Sequence, residues 1–112
     1  MEYRNIGSLN VSVTGVGCNN FGRRLDEQGT RAVVDAAIDA GINFFDTADI
    51  YGGGLSEEYL GRALGKRRGQ LVIASKCGMK MSEDKHGARP EYIRAAIEDS
   101  LQRLGTDYLD LY

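Results

Sequence analysis

A chain of 112 residues fits one ordinary domain with a single core, since a globular chain of this size buries about two thirds of its unfolded surface. Its formal net charge of -2 is spread over interspersed residues, and the one basic cluster, Lys66-Arg67-Arg68, is too short for a nucleic-acid footprint and is expected to be a solvated helix end. No apolar run approaches the roughly 20 residues of a spanning helix, and Cys18 and Cys77 form neither a CxxC pair nor a metal-ligand spacing. The expectation is a soluble cytoplasmic protein with reduced thiols, no disulfide, no metal and no membrane contact.

In chain order, Arg4 to Ile6 and Val11 to Val13 flank the cluster Gly7-Ser8-Leu9-Asn10, which predicts a hairpin. Gly15-Val16-Gly17-Cys18 reads as a strand end running into the polar loop Asn19 to Asp26. Val33, Ala36, Ala37 and Ala40 then recur at i, i+3, i+4 and i+7, which predicts a helix that Gly41 ends in a left-handed conformation. Ile42 to Phe45 is a brief apolar run bounded by Gly41 and Asp46, as a buried parallel strand would be. In a second helix Leu55, Tyr59, Leu60, Ala63 and Leu64 line one face, with Gly54 or Leu55 preceding Ser56 at the N-cap and Gly65 as the stop.

Leu71 to Ser75 is a third strand ending in Lys76, and the long polar loop Cys77 to Arg89 is expected to be the most mobile element. Pro90 suits the first position of a third helix. Ile93, Ala96, Ile97, Leu101 and Leu104 make its apolar stripe, Arg94/Glu98 and Asp99/Arg103 are spaced to pair on the wet side, and Gly105 closes it. Tyr108 to Tyr112 is a fourth strand.

Strands alternating with helices of this length imply right-handed crossovers and a parallel sheet. A doubly wound sheet with a dinucleotide fingerprint needs G-x-G-x-x-G, whereas Gly15-Val16-Gly17 continues into Cys18-Asn19-Asn20, and no G-x-x-x-x-G-K-[ST] occurs. Barrel geometry is favoured.

In a barrel the functional face lies at the carboxyl ends of the strands. Asp46 and Lys76 end two of them, and Tyr51 stands in the loop Asp46-Thr47-Ala48-Asp49-Ile50-Tyr51-Gly52-Gly53-Gly54. A tyrosine with a pKa of about 10 exchanges protons poorly at neutral pH. A lysine some 4 Å away would favour the phenolate by about 4 kcal/mol before desolvation losses, at an effective dielectric near 20. The arrangement works when the carboxylate fixes Lys76 and Tyr51 faces the substrate as a proton donor. Singly, Tyr51 would serve as a packing aromatic, Asp46 as a turn cap and Lys76 as a surface lysine. Only the set carries the chemistry.

The same residues resemble the aldo-keto reductases. The resemblance rests on Asp46 to Gly52, on Ser56-Glu57-Glu58-Tyr59-Leu60-Gly61-Arg62-Ala63-Leu64, on the strand running into Lys76, and on Leu104-Gly105-Thr106-Asp107-Tyr108-Leu109-Asp110-Leu111-Tyr112, and spans essentially all residues 1–112. It implies an α/β fold, the N-terminal half of a (β/α)8 TIM barrel preceded by a β-hairpin, with residues 1–112 forming a partial domain of the hairpin, four strands and three helices. It further implies hydride transfer from NADPH, or NADH, to an aldehyde or ketone, with no metal and no flavin. By resemblance Tyr51 is the general acid, Lys76 the cation that tunes it and Asp46 the carboxylate that orients Lys76. Asp46, Cys18, Asn19 and Arg24 are the implied cofactor contacts.

The resemblance also implies a catalytic histidine after the strand matching Tyr108 to Tyr112, and late loops that hold the cofactor's phosphates. The one histidine, His86, lies in the third long loop and matches no such position. The chain is therefore expected to be part of a domain, inactive by itself and prone to self-association through open barrel edges. A non-catalytic nucleotide-binding regulatory subunit and an inert fragment are the alternatives.

Overall fold

The computed structural model describes residues 1–112. Strands β1 (Tyr3–Ile6) and β2 (Leu9–Ser12) form an antiparallel hairpin in the register Tyr3↔Ser12 to Ile6↔Leu9. Its turn is only Gly7-Ser8. Gly7 takes φ 59, which a two-residue turn needs if its twist is to match the strands. Leu9 and Asn10, expected in the turn, therefore belong to β2, and Val13 lies beyond it. The hairpin is tied beneath the main sheet. Ser12 and Asn43 exchange hydrogen bonds, the Ser12 N–H donating to Asn43 Oδ1 at 2.7 Å and the Asn43 N–H to Ser12 Oγ at 3.1 Å. Tyr3 donates to the carbonyl of Gly41 at 2.7 Å.

The main sheet is parallel, in the order β3 (Val16–Gly17), β4 (Phe44–Asp46), β5 (Val72–Ala74). Phe45 and Ile73 lie opposite each other in register and point into a cluster with Val34, Leu60, Leu64 and Leu104. Strand alternation then puts Phe44, Asp46, Val72 and Ala74 on the other face. The fourth strand expected over Tyr108 to Tyr112 is reduced to one parallel bridge between Ala74 and Leu111. Asp110 is the reason. Its carboxylate accepts from the Ile73 N–H at 2.9 Å, and its own N–H donates to the Ile73 carbonyl, so a side chain replaces one rung of the ladder.

Three helices cover the Phe45–Ile73 side. In α1 (Glu27–Asp39) the Asp26 side chain accepts from the Gly29 N–H and caps the first turn. Gly41 at φ 86 ends the helix as expected, with its N–H on the Ile38 carbonyl and that of Ile42 on Ala37, both at 2.9 Å. The buried stripe is Thr30, Val34 and Ala37, not Val33, Ala36 and Ala40, and Val33 is exposed. Two adjacent valines fit two helical stripes one residue apart, and the sheet selects the one containing Val34.

Helix α2 (Leu55–Leu64) has Gly54 at its N-cap with φ 104, and no side chain caps it. Its buried face is Ser56, Glu57, Leu60, Ala63 and Leu64, while Leu55 is exposed and Tyr59 half-buried. In α3 (Pro90–Leu104) Ala96, Ser100 and Leu104 are buried and Ile93, Ile97 and Leu101 half-buried, close to the expected stripe. The expected pairs on its wet side do not form. Arg103 turns inward to Glu57 at 2.8 Å, and Asp99 lies 3.7 Å from Lys85.

The basic cluster also differs from expectation. Lys66 is exposed, but Arg67 binds Asp35 at 2.6 Å, and Arg68 pairs with Asp110 at 3.0 Å while stacking 3.9 Å above the Tyr108 ring. Carboxylates and a π face supplied from elsewhere in the chain take up the two arginines.

Helices α2 and α3 meet at Gly61, where a Cβ would lie 2.7 Å from the Leu104 carbonyl carbon and 2.8 Å from its Cα. Backbone cannot yield as a side-chain tip can. Gly61→Ala is therefore expected to destabilise the chain by about 1–3 kcal/mol through overpacking, read as a lower urea midpoint. An unchanged midpoint would contradict this packing.

Candidate active site

Because β4 and β5 run parallel with Asp46 opposite Ala74, continuing the alternation past Ala74 brings Lys76 to the face that carries Asp46. The Lys76 ammonium lies 2.8 Å from Asp46 Oδ1, 2.7 Å from the Thr47 carbonyl and 3.5 Å from the Tyr51 hydroxyl. It also stands 5.0 Å from the centre of the Tyr51 ring, within cation–π range.

The three glycines after Tyr51 explain how a residue so near β4 folds back to this point. Tyr51–Gly54 is a single tight turn in which Gly52, Gly53 and Gly54 take φ 61, 64 and 104. A Cβ at Gly52 would sit 2.9 Å from the Phe21 carbonyl, so only glycine allows both the left-handed backbone and the close approach. Just upstream, the N–H groups of Thr47 and Asp49 donate to the carbonyls of Ala74 and Lys76. That stitching holds the loop to the end of β5.

The charge on Lys76 is secure. Burial pushes its pKa down, but the hydrogen bond and charge of Asp46, with Tyr51 adding, more than reverse this, and the ammonium titrates above its ordinary 10.5. Both members of the ion pair are nearly half exposed.

Of the loop residues expected to touch a cofactor, Asn19 and Arg24 are exposed. Cys18 is not. It is 0% exposed within the core cluster, and its thiol donates to the Val16 carbonyl. Its N–H donates to Asp46, and its carbonyl accepts from Ser56. Every polar group is used internally, so the expectation for Cys18 is corrected: it faces the core rather than the rim. A small sulfur side chain ahead of a polar loop looks the same in sequence whichever way the strand end turns.

Burial, helped by the charge of Asp46, pushes the Cys18 thiol up to about 12 from an ordinary 9.0. The unfolded chain then gives up this proton first, so the contribution of Cys18 to stability is complete below pH 9.0 and is lost as pH rises towards 12. Cys77 is only half-buried, and both thiols are free. Alkylation of the native chain is expected to label Cys77 alone, with Cys18 reacting only after denaturation. Rapid native labelling of both would show that Cys18 is not sealed in.

A buried polar network beneath the site is not foreseen from the sequence. Glu57 and Ser56 are 0% exposed, and Ser75, Thr47 and Asp49 are at most 2% exposed. Burial, then the charge of Glu57, raises the pKa of Asp49, with Arg103 opposing. The only sequence signal for this network is Ser56-Glu57 at a helix start, the pattern of an ordinary solvated first turn. His86 is exposed on its loop, and no group of three His, Cys, Asp or Glu side chains is placed to hold a metal ion. No helix is long and apolar enough to cross a membrane.

Residues 14–112 match the sequence model of the Aldo/keto reductase family. The chain belongs to that family. It is 37% identical over 118 residues to the uncharacterized oxidoreductase YqkF of Bacillus subtilis (strain 168), covering 100% of the chain and 38% of that relative. Protein tas of Escherichia coli (strain K12) is 40% identical over 129 residues, covering 100% of the chain and 37% of the relative. A probable voltage-gated potassium channel subunit beta of Oryza sativa subsp. japonica is 39% identical over 119 residues, covering 99% of the chain and 36% of the relative.

The structure superposes on the holo form of an aldo-keto reductase from Bacillus halodurans with a TM-score of 0.89 at 40% identity, covering 100% of this chain and 39% of that one. The chain thus spans 36% to 39% of the length of these relatives. Its hairpin, parallel strands and covering helices are part of an aldo-keto reductase TIM barrel, as the sequence led us to expect.

Proposed function

We propose that this segment carries the proton donor of an NAD(P)H-dependent carbonyl reductase acting on a small aldehyde or ketone, with Tyr51 as general acid, Lys76 as the cation beside it and Asp46 as the carboxylate that holds Lys76. The observation that carries this reading is the Lys76 ammonium, 2.8 Å from Asp46 and 3.5 Å from the Tyr51 hydroxyl. As the phenolic proton leaves, negative charge grows on an oxygen within reach of a fixed cation. That attraction is reduced by solvent at so open a site and by the Asp46 carboxylate paired with the ammonium. Asp46 and the Thr47 carbonyl keep the ammonium from turning away.

A bound reduced nicotinamide cofactor, NADPH or NADH, supplies the hydride. The exposed Asn19 amide and Arg24 guanidinium, and the part-exposed Asp46 carboxylate, are hydrogen-bonding and charged groups suited to its carboxamide, phosphates and ribose. Residues 1–112 are in this reading a partial domain of a cytoplasmic enzyme. The unpaired edges at β3 and at Leu111 are where further barrel strands, or a second copy, would pair.

A second reading is a non-catalytic subunit in which nucleotide binding regulates a partner; the rice relative is named a probable potassium channel subunit. Aldehyde-dependent oxidation of NADPH, followed by the absorbance of the reduced nicotinamide, separates the two. Turnover by the protein that contains this segment supports the reductase. Nucleotide binding without turnover of any aldehyde or ketone supports the regulatory subunit and overturns the reductase.

A further inference from the structure

We propose that Ser56 and Glu57, neighbours in the first turn of α2, form a buried positioning bracket that sets Lys76 against Asp46 and Tyr51. The inference rests on the reading of Lys76 as the cation beside the acid, and adds to it the residues that hold that cation in register.

Each side chain is bonded to more than one partner. Glu57 gives one carboxylate oxygen, Oε1, to Arg103 of α3, whose Nε and Nη2 both lie at 2.8 Å. The other, Oε2, accepts from the Ser75 hydroxyl at 2.8 Å. Ser56 donates its single hydroxyl proton to the Cys18 carbonyl at 2.9 Å, so in the 2.8 Å contact with Thr47 it is the threonine that donates. Adjacent residues of one helix therefore grip the ends of β3, β4 and β5 together.

Two of those ends carry the site. Thr47 lies between Asp46 and the loop to Tyr51, and its carbonyl accepts from Lys76 at 2.7 Å. Ser75 precedes Lys76, whose own carbonyl accepts from the Asp49 N–H at 3.2 Å. Moving Ser75 relative to Thr47 would change all three contacts of the ammonium at once.

A carboxylate at 0% exposure is a costly way to fill space, since a buried ion pair is often no more stabilising than apolar residues of the same volume. What an apolar residue at position 57 could not do is fix the distance between a helix and a particular strand end by directional bonds. Arg103, Asp49 and Tyr112 are the charged or titratable groups that Glu57 faces or influences, and of these three only Arg103 bonds it. The bracket is therefore anchored on α3 and presented to β5.

The ammonium of Lys76 itself gives the test, read in the protein that contains this segment. In 15N-lysine-labelled protein near pH 6, an ammonium held by Asp46, Thr47 and Tyr51 exchanges its protons slowly enough to give a resolved signal, assigned by its disappearance in Lys76→Met. Ser75→Ala removes only a hydroxyl and leaves the Glu57–Arg103 pair in place, so it keeps the fold even where Glu57→Gln does not. The proposal expects Ser75→Ala to lose the Lys76 ammonium signal while the backbone spectrum away from β5 is unchanged. Persistence of the signal in folded Ser75→Ala at the parent's exchange rate would overturn it. A lost signal in Ser75→Ala together with undiminished turnover in Tyr51→Phe would leave the bracket standing and remove the acid assignment.

Discussion

Tyr51→Phe is expected to lower carbonyl reduction by about 10²–10⁴-fold, the usual contribution of a positioned general acid, with nucleotide affinity within about twofold of the parent. The measurement belongs in a protein where this segment is continued by the rest of a related barrel. The phenyl ring keeps its place over the tight turn Tyr51–Gly54 and its contact with the Lys76 ammonium, 5.0 Å from the ring centre. Only the hydroxyl 3.5 Å from Lys76 is lost. An interaction made chiefly in the transition state shows in kcat and leaves ground-state binding alone. Equal rates in variant and parent would rule out Tyr51 as the acid, and a matching loss of nucleotide affinity would show that the substitution had disturbed the rim instead.

Arg103→Ala is expected to destabilise the fold by about 3–5 kcal/mol, the cost of stranding a buried charge. Glu57 is 0% exposed, and Arg103 supplies both nitrogens that bond its Oε1. Removing the guanidinium leaves the Ser75 hydroxyl as its one remaining side-chain donor. Exposed pairs such as Arg4–Glu2 or Lys80–Glu83 should by comparison contribute at most about 1 kcal/mol. Urea denaturation of Arg103→Ala and Arg4→Ala measures the contrast. A loss below about 1 kcal/mol in Arg103→Ala would mean that water reaches Glu57 after all.

The parts legible in the sequence are those where one local pattern has one structural meaning. Gly41 after an alanine-rich helix ends it with φ 86, and Asp46 closing a short apolar run stands at a strand end beside Lys76. What was not legible depended on which of several faces the sheet would select. The valines at 33 and 34 fit two stripes, and burial chose Val34. Arg68 reads as a surface cation until Asp110 and Tyr108, distant in sequence, enclose it. Cys18 follows a strand end in a loop that reaches the rim, yet its side chain turns to the core. Glu57 was hidden for the same reason: nothing local distinguishes a carboxylate in the first turn of a solvated helix from one that meets an arginine 46 residues later.

The central claim is that Tyr51 and Lys76 act as one unit, which a double-mutant cycle on kcat/KM tests directly. Tyr51→Phe removes the proton, Lys76→Met removes the charge that stabilises its departure, and each alone disables the same step. The account predicts that the double variant is no slower than the slower single variant, within about threefold, because effects within a catalytic unit do not add. Losses that multiply in the double variant, as they do for independent sites, would show that the ammonium 3.5 Å from the phenol does not assist its proton transfer.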